Sequence, residues 1–297
     1  MKLSKVAVYG LGNMGYLVAE RVAAGFTTLV ADLDTALVQR AQAEFGAVPI
    51  GAPQDLSEVD VVVLSLPSPA ISLAVLGQIA GQLPAHAVVL ETSTVNPKDI
   101  QASKKLLDAH GLRIVDASVM AGVSQMKAGT AMLLMGGDPA AVADVQPVLD
   151  AIAPKQIHFG ASGAGAAAKV INNAVAHAVM VVVAEAGSLA TAAGVSCDKL
   201  IDLLADKQMG LHRPLTHRYA ERIVQGNYDG GMPLDAARKD SVLALELAQT
   251  LGVPLFAIQG SHTIYDIAVA AGYGRDDYAA IAKVWADWGK PAVPAQP

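Results

Sequence analysis

Apolar residues in the first half of the chain fall in short runs that alternate with longer stretches of helical spacing. Val6–Tyr9, Thr28–Ala31, Val61–Leu64, Val88–Leu90 and Ile114–Val115 are compact and rich in β-branched residues, as strands are. Between them, Met14–Ala24, Leu37–Phe45, Ala70–Ala80 and Lys98–Ala109 carry apolar residues three and four apart, the spacing of amphipathic helices. Such alternation predicts βαβ units and a mostly parallel sheet, and strands apolar on both faces imply helices on both sides. A further run, Ala131–Met135, ends in the turn Gly136-Gly137-Asp138, and Pro139 suits the first position of a helix. Near Phe159–Gly163 the pattern changes. Ser162 is an expected N-cap, and no proline or strand pattern interrupts the chain from there to Ala193, which predicts one long helix. Helical spacing continues to Trp288, and Pro291, Pro294 and Pro297 mark an expected frayed tail. The predicted architecture is an α/β domain over residues 1–161 and an all-helical domain over 162–297, joined by the long helix.

Composition narrows the function. A chain of 297 residues, 53% apolar and 16% charged, can bury a sizeable core in one or two domains. A net charge of −6 without a basic run argues against nucleic acid or an anionic membrane surface as main partner. The single cysteine, Cys197, permits no internal disulfide and no cysteine-based metal site, so a reducing cytoplasm is the expected compartment. No His/Asp/Glu grouping has metal spacing, and no Ser or Cys sits in a nucleophile elbow. The first apolar run is too short for a signal peptide and reads as a strand. Ala174–Ala193 is long enough to span a membrane but holds His177 and Glu185; its small residues suit a helix buried on most sides.

Gly10-Leu11-Gly12-Asn13-Met14-Gly15 joins the first strand to the first helix. In a G-x-G-x-x-G loop the first glycine permits a tight turn and the second lets a pyrophosphate approach the backbone. The third lets the helix pack close, its N-terminus facing the phosphates, so the first domain is expected to be a doubly wound, Rossmann-type sheet. Asp32 ends the second strand. A carboxylate there accepts from the adenosine ribose hydroxyls and repels a 2′-phosphate, and the next residues are Leu33 and Asp34 rather than a cation. NAD is expected in preference to NADP, although Asp32 and Asp34 also suit an exposed turn and helix cap. Leu66-Pro67 and Ser93-Thr94 follow strand ends on the side where such sheets bind ligands; ordinary loop chemistry accounts for them equally.

Gly165, Lys169, Asn173 and His177 recur every four residues and share one stripe of the long helix. Alanines precede Lys169 and Val170-Ile171 follow it. An amine held among such neighbours is desolvated, which lowers its pKa and suits it to exchange a proton with a substrate hydroxyl. The alternative is a lysine that snorkels to solvent. Asn173 can steady the amine or a hydroxyl. His177 fits either a substrate contact or a hydrogen-bonded core histidine.

These motifs together resemble the β-hydroxyacid dehydrogenases, the group of 3-hydroxyisobutyrate and 6-phosphogluconate dehydrogenase-like enzymes, from Val6 to about Trp288. Gly10–Gly15 matches the dinucleotide loop, and Gly165 to Asn173 matches the catalytic segment G-x-x-x-K-x-x-x-N. Lys239-Asp240 resembles the family's K-D cofactor motif. Asp116-Ala117-Ser118-Val119-Met120-Ala121-Gly122 stands where the family usually has D-A-P-V-S-G-G. The resemblance implies Lys169 as general acid/base with Asn173 assisting. It places Thr94 near the nicotinamide, Lys239 over the cofactor, and a small hydroxy acid against residues 118–122. It also implies a homodimer or homotetramer. Ser118, Met120 and Ala121 depart from the family pattern: Met120 brings no hydroxyl and Ala121 restricts the backbone, so a bulkier or less polar hydroxy acid, or another alcohol, is expected. Gly122, Val123, Ser124, Lys127 and His212-Arg213 are the alternative donors to a carboxylate. Two rival functions share the fold: an imine reductase, and a dinucleotide-binding sensor without turnover.

Overall fold

A computed structural model describes residues 3–290 and 292–293. Pro291, Pro294 and Pro297 lie outside the described residues. Two compact units result, Met1–Ala174 and Val175–Pro297.

The first unit is built on an eight-stranded sheet. In chain order the strands are β1 (Lys5–Tyr9), β2 (Thr27–Ala31), β3 (Val48–Pro49), β4 (Val61–Leu64), β5 (Val88–Glu91), β6 (Arg113–Met120), β7 (Met132–Gly136) and β8 (Lys155–His158). Their order across the sheet is β3-β2-β1-β4-β5-β6-β7-β8. The helices interleaved with them are α1 (Asn13–Ala23), α2 (Thr35–Phe45), α3 (Pro69–Ile79), α4 (Pro97–Asp108), α5 (Val123–Lys127), α6 (Pro139–Asp144) and α7 (Gln146–Ile152). Alternate strand residues feed opposite faces, as the period of two requires. Val6, Val8, Val61 and Val63 join one core, while Ala7, Val62, Leu64 and Val89 join the other. Helices therefore cover both faces, as the doubly apolar strands predict.

The sheet is mostly parallel, as expected, with β7 antiparallel to β6. Two features differ from the sequence expectation. The edge strands β3 and β8 have too few apolar residues to announce themselves. Finally, β6 continues well beyond Ile114–Val115, through an acid, Asp116, that is fully buried. That acid is buried because it caps a helix. Its two carboxylate oxygens accept from the Gly163 amide at 2.7 Å and the Ala166 amide at 2.8 Å. These are orphan donors at the start of α8 (Ala164–Ala192). The expected cap, Ser162, instead lends its backbone carbonyl to the Gln101 side chain. Burial pushes the Asp116 carboxyl up, against the backbone amides, led by Gly163 and Ala166, that pull it down.

The second unit is helical, with α9 (Cys197–Ala205), α10 (Leu234–Leu251), α11 (Phe256–Ala270), α12 (Ala282–Asp287) and a π-helical stretch at Pro214–Ile223. Within it, Glu185 of α8 is 8% exposed and caps α11 by accepting from the amides of Phe256, Ala257 and Ile258. An acid spent in this way explains why a helix of membrane-spanning length carries a carboxylate in its last third. The expectation that α8 is buried on most sides is not met. Only 11% of its most apolar 18-residue window is buried, and Ile171, Val175, Met180 and Val181 are at least half exposed.

Candidate active site

The glycine loop has the shape its spacing predicts. Gly10 sits at φ +94°, and a Cβ there would stand 2.1 Å from the Ser65 carbonyl oxygen. A Cβ on Gly15 would stand 2.1 Å from the Gly10 oxygen, so α1 packs directly on the turn. Gly12 is different: nothing lies within 4 Å of its would-be Cβ. Its open space suits a pyrophosphate, and exposed Asn13 and half-buried Met14 begin the helix whose free amides face that space. Leu11 is buried and anchors the loop from below.

Asp32 holds the arrangement together. It accepts from the Leu11 amide at 2.6 Å and from the Asp34 amide at 2.8 Å, so one carboxylate fixes both the glycine loop and the turn after β2. Asp34 caps α2 through the Ala36 amide. Two cations, Arg40 and Lys127, line the cleft beside Gly12 and Tyr16. Arg40 stacks on Tyr16. Its guanidinium lies 4.4 Å from the Tyr16 ring centroid and pairs with Glu44 at 2.8 Å.

Along the rim at the ends of β4 and β5, a hydrogen-bonded brace appears that the sequence did not announce. Buried Glu91 accepts from the Ser93 amide at 2.9 Å, and the Ser93 hydroxyl accepts from the Leu66 amide at 2.8 Å. Pro67 and Thr94 are exposed on this rim. Burial pushes the Glu91 carboxyl upward, and Asp116, its register partner on β6, adds to the rise. A raised acid favours the neutral form in the fold. The stability it confers is complete below the ordinary glutamate range and is lost as pH climbs through the raised value. Glu91→Gln is therefore expected to melt at higher temperature than the parent, by a margin that widens from pH 5 to pH 8 in thermal melts.

Lys169 lies on the first third of α8, half-buried. Its Nζ is 3.6 Å from the Met120 sulfur, with no carboxylate paired to it among the described residues. Burial holds the amine below the usual lysine range. The Asn172 side-chain amide donates to the same sulfur at 3.5 Å. Asn172 was not singled out from the sequence, where the every-fourth stripe pointed to Asn173. A stripe three residues on would have found it. Asn173 is half-buried beside it. Gly165 begins the stripe for a packing reason, since a Cβ there would stand 2.4 Å from the Leu134 carbonyl oxygen.

The rest of the predicted substrate segment is uneven. Ser118 is 1% exposed and its hydroxyl, without a partner among the described residues, is covered by protein, so its burial does not fit a substrate contact. Ala121 is half-buried and Gly122 exposed. The Gly122 amide and the Ser124 hydroxyl both donate to Gln125 Oε1 at 3.0 Å. His177 is exposed on α8 in the second unit. Lys239 on α10, also in that unit, has a side chain 67% exposed and paired with Asp240 at 3.1 Å.

Comparison with known proteins identifies the family. A profile described as the NAD binding domain of 6-phosphogluconate dehydrogenase matches residues 5–162. A second, described as the NAD-binding of NADP-dependent 3-hydroxyisobutyrate dehydrogenase, matches residues 163–285. The chain belongs to the β-hydroxyacid dehydrogenase family. Like its relatives, this β-hydroxyacid dehydrogenase is an NAD(P)-binding oxidoreductase acting on CH–OH groups. It is 30% identical to the 2-(hydroxymethyl)glutarate dehydrogenase of Eubacterium barkeri, over 96% of this chain and 95% of the relative. The structure of Mycobacterium tuberculosis 3-hydroxyisobutyrate dehydrogenase with L-serine is 26% identical, with a TM-score of 0.67 over 95% of this chain and 99% of that one. An imine reductase from Bacillus cereus, 17% identical, shares the fold with a TM-score of 0.83 over 96% and 99% of the two chains.

Proposed function

We propose that this β-hydroxyacid dehydrogenase uses NAD to oxidise the carbinol of a small hydroxy acid or related alcohol, and that Lys169 is its general acid/base. The observation that carries it is the half-buried Lys169 amine, depressed by desolvation and unpaired with any carboxylate among the described residues. A neutral amine takes the hydroxyl proton as the carbinol carbon gives up its hydride, and the ammonium returns it in the reverse reaction. Asn173, one turn along α8, steadies the hydroxyl. The bound nicotinamide supplies the hydride acceptor. Gly10, Gly12 and Gly15 shape the space for its pyrophosphate, and Leu66, Pro67 and Thr94 form a rim on the carboxyl side of the sheet.

The preference for NAD rests on Asp32, whose carboxylate at the end of β2 repels a 2′-phosphate. Of the two cations in the cleft, Arg40 is paired with Glu44, whereas Lys127 lies beyond the strand-end turn that Asp32 closes. A panel of hydroxy acids and alcohols with NAD and with NADP, and of imines with NADH and NADPH, followed by absorbance of the reduced cofactor, tests both parts. Turnover is expected with NAD, with kcat/KM at least about tenfold above that with NADP. Turnover confined to imines with NADPH would instead establish the imine reductase alternative, and absence of all turnover the sensor.

The apolar surface of α8 completes the reading. A second copy of the chain covers it, giving a homodimer or homotetramer of a cytoplasmic enzyme with no nucleic-acid or membrane partner. Sedimentation equilibrium of the intact protein is expected to return a multiple of the chain mass.

A further inference from the structure

The Lys169 and Asn172 side chains meet a thioether at residue 120, not an oxygen. Lys169 Nζ and Asn172 Nδ2 both point at its sulfur, at 3.6 and 3.5 Å. A methionine sulfur is a weak acceptor and never a donor. The neighbouring segment does not compensate. The Gly122 amide and the Ser124 hydroxyl are both turned onto Gln125 Oε1, and the Ser118 hydroxyl is covered by protein. A carboxylate set against Met120 would thus lose water and meet lone pairs. An alkyl, ester or amide group would meet a soft, polarisable surface that costs it little.

We propose that Met120 sets the substrate class: the alcohol oxidised here presents an uncharged group, not a carboxylate, toward the Met120 side chain. The proposal rests on the lysine reading above only for placing the reacting carbon near Lys169. Removing the thioether separates its two effects. Met120→Ser introduces a hydroxyl donor and frees Lys169 and Asn172. Met120→Leu also releases Lys169 and Asn172 from the sulfur, but it keeps an apolar side chain of similar size and brings no donor.

The test compares a 3-hydroxy acid with its methyl ester on the parent and both variants. It reads kcat/KM with NAD and, separately, binding of each compound to the enzyme–NADH complex by cofactor fluorescence. The parent and Met120→Leu are expected to favour the ester by about tenfold or more, and Met120→Ser to erase that preference by a similar factor. A parent that favours the acid in binding, or a Met120→Ser variant with an unchanged ratio, overturns the proposal. The binding ratio is obtained whether or not turnover occurs. Failure of Lys169 as acid/base therefore shows in the rates alone, and failure of the Met120 assignment shows in the ratio.

Discussion

Lys169→Ala is expected to lower turnover by at least about a hundredfold while leaving NADH affinity within a few-fold of the parent. The amine sits on α8 against the Met120 sulfur at the end of β6, whereas the glycine loop and Asp32 follow β1 and β2, which β4 and β5 separate from β6 along the same carboxyl edge of the sheet, so the loop and Asp32 do not depend on the amine. Steady-state rates and NADH fluorescence titration read the two effects separately. Unchanged turnover would refute the assignment. The pH profile carries the same information. Burial holds the Lys169 amine below the usual lysine range, so oxidation is expected to rise with pH through that depressed value, and the rise should vanish in the variant. Lys169→Arg, charged at every working pH, is expected to be as inactive as the alanine variant.

The same depression has a cost to the fold. A lysine whose folded pKa lies below its unfolded value binds fewer protons when folded. Stability is therefore reduced at neutral pH and recovers only as pH rises from the depressed value toward the ordinary one. An uncharged side chain of similar length escapes this penalty, so Lys169→Met should melt no lower than the parent at pH 7 even though it is inactive. Catalytic groups held in unfavourable surroundings commonly show this opposition of activity and stability.

How far the sequence could be read depended on whether a feature was local. The βαβ alternation, the glycine loop and the long helix are set by runs of a few residues, and each was legible. Contacts across the sheet were not. Asp116 appears in the sequence as an acid that ends a short apolar run, yet it lies inside an eight-residue strand because the α8 amides that justify its burial come from 47 and 50 residues further on. Ser162 looked like a cap because it stands at the right local offset, and the distant carboxylate displaced it. Glu91 was invisible for a related reason: it accepts from the Ser93 amide, and the Ser93 hydroxyl in turn accepts from Leu66 at the end of a different strand. For Met120, the departure from the usual serine was readable, but the sulfur's hold on two donors of α8 was not.

Gly165→Ala tests the consequence of that long-range capping, and the expected loss is large in both stability and rate. The new methyl carbon would stand 2.4 Å from the Leu134 oxygen, 2.6 Å from the Met135 carbonyl carbon and 2.8 Å from the Gly136 nitrogen. All three are backbone atoms of β7, fixed in the sheet on both sides, so α8 must retreat instead. Retreat draws the Gly163 and Ala166 amides away from Asp116, leaving a buried carboxyl without its donors. Overpacking costs about 1–3 kcal/mol and the stranded polar groups about as much again, so a combined loss of at least about 2 kcal/mol is expected in denaturant titrations. Lys169 is one turn further along the same helix, and a displacement of about 1 Å at a reacting group can cost about a hundredfold in rate. Gly77 in α3 is the control. A Cβ there would meet only Leu106, at an ordinary 3.9 Å, so Gly77→Ala should be neutral or stabilising by up to about 1 kcal/mol and leave the rate unchanged. Equal effects from the two substitutions would show that the approach of α8 to β7 does not set the position of the lysine.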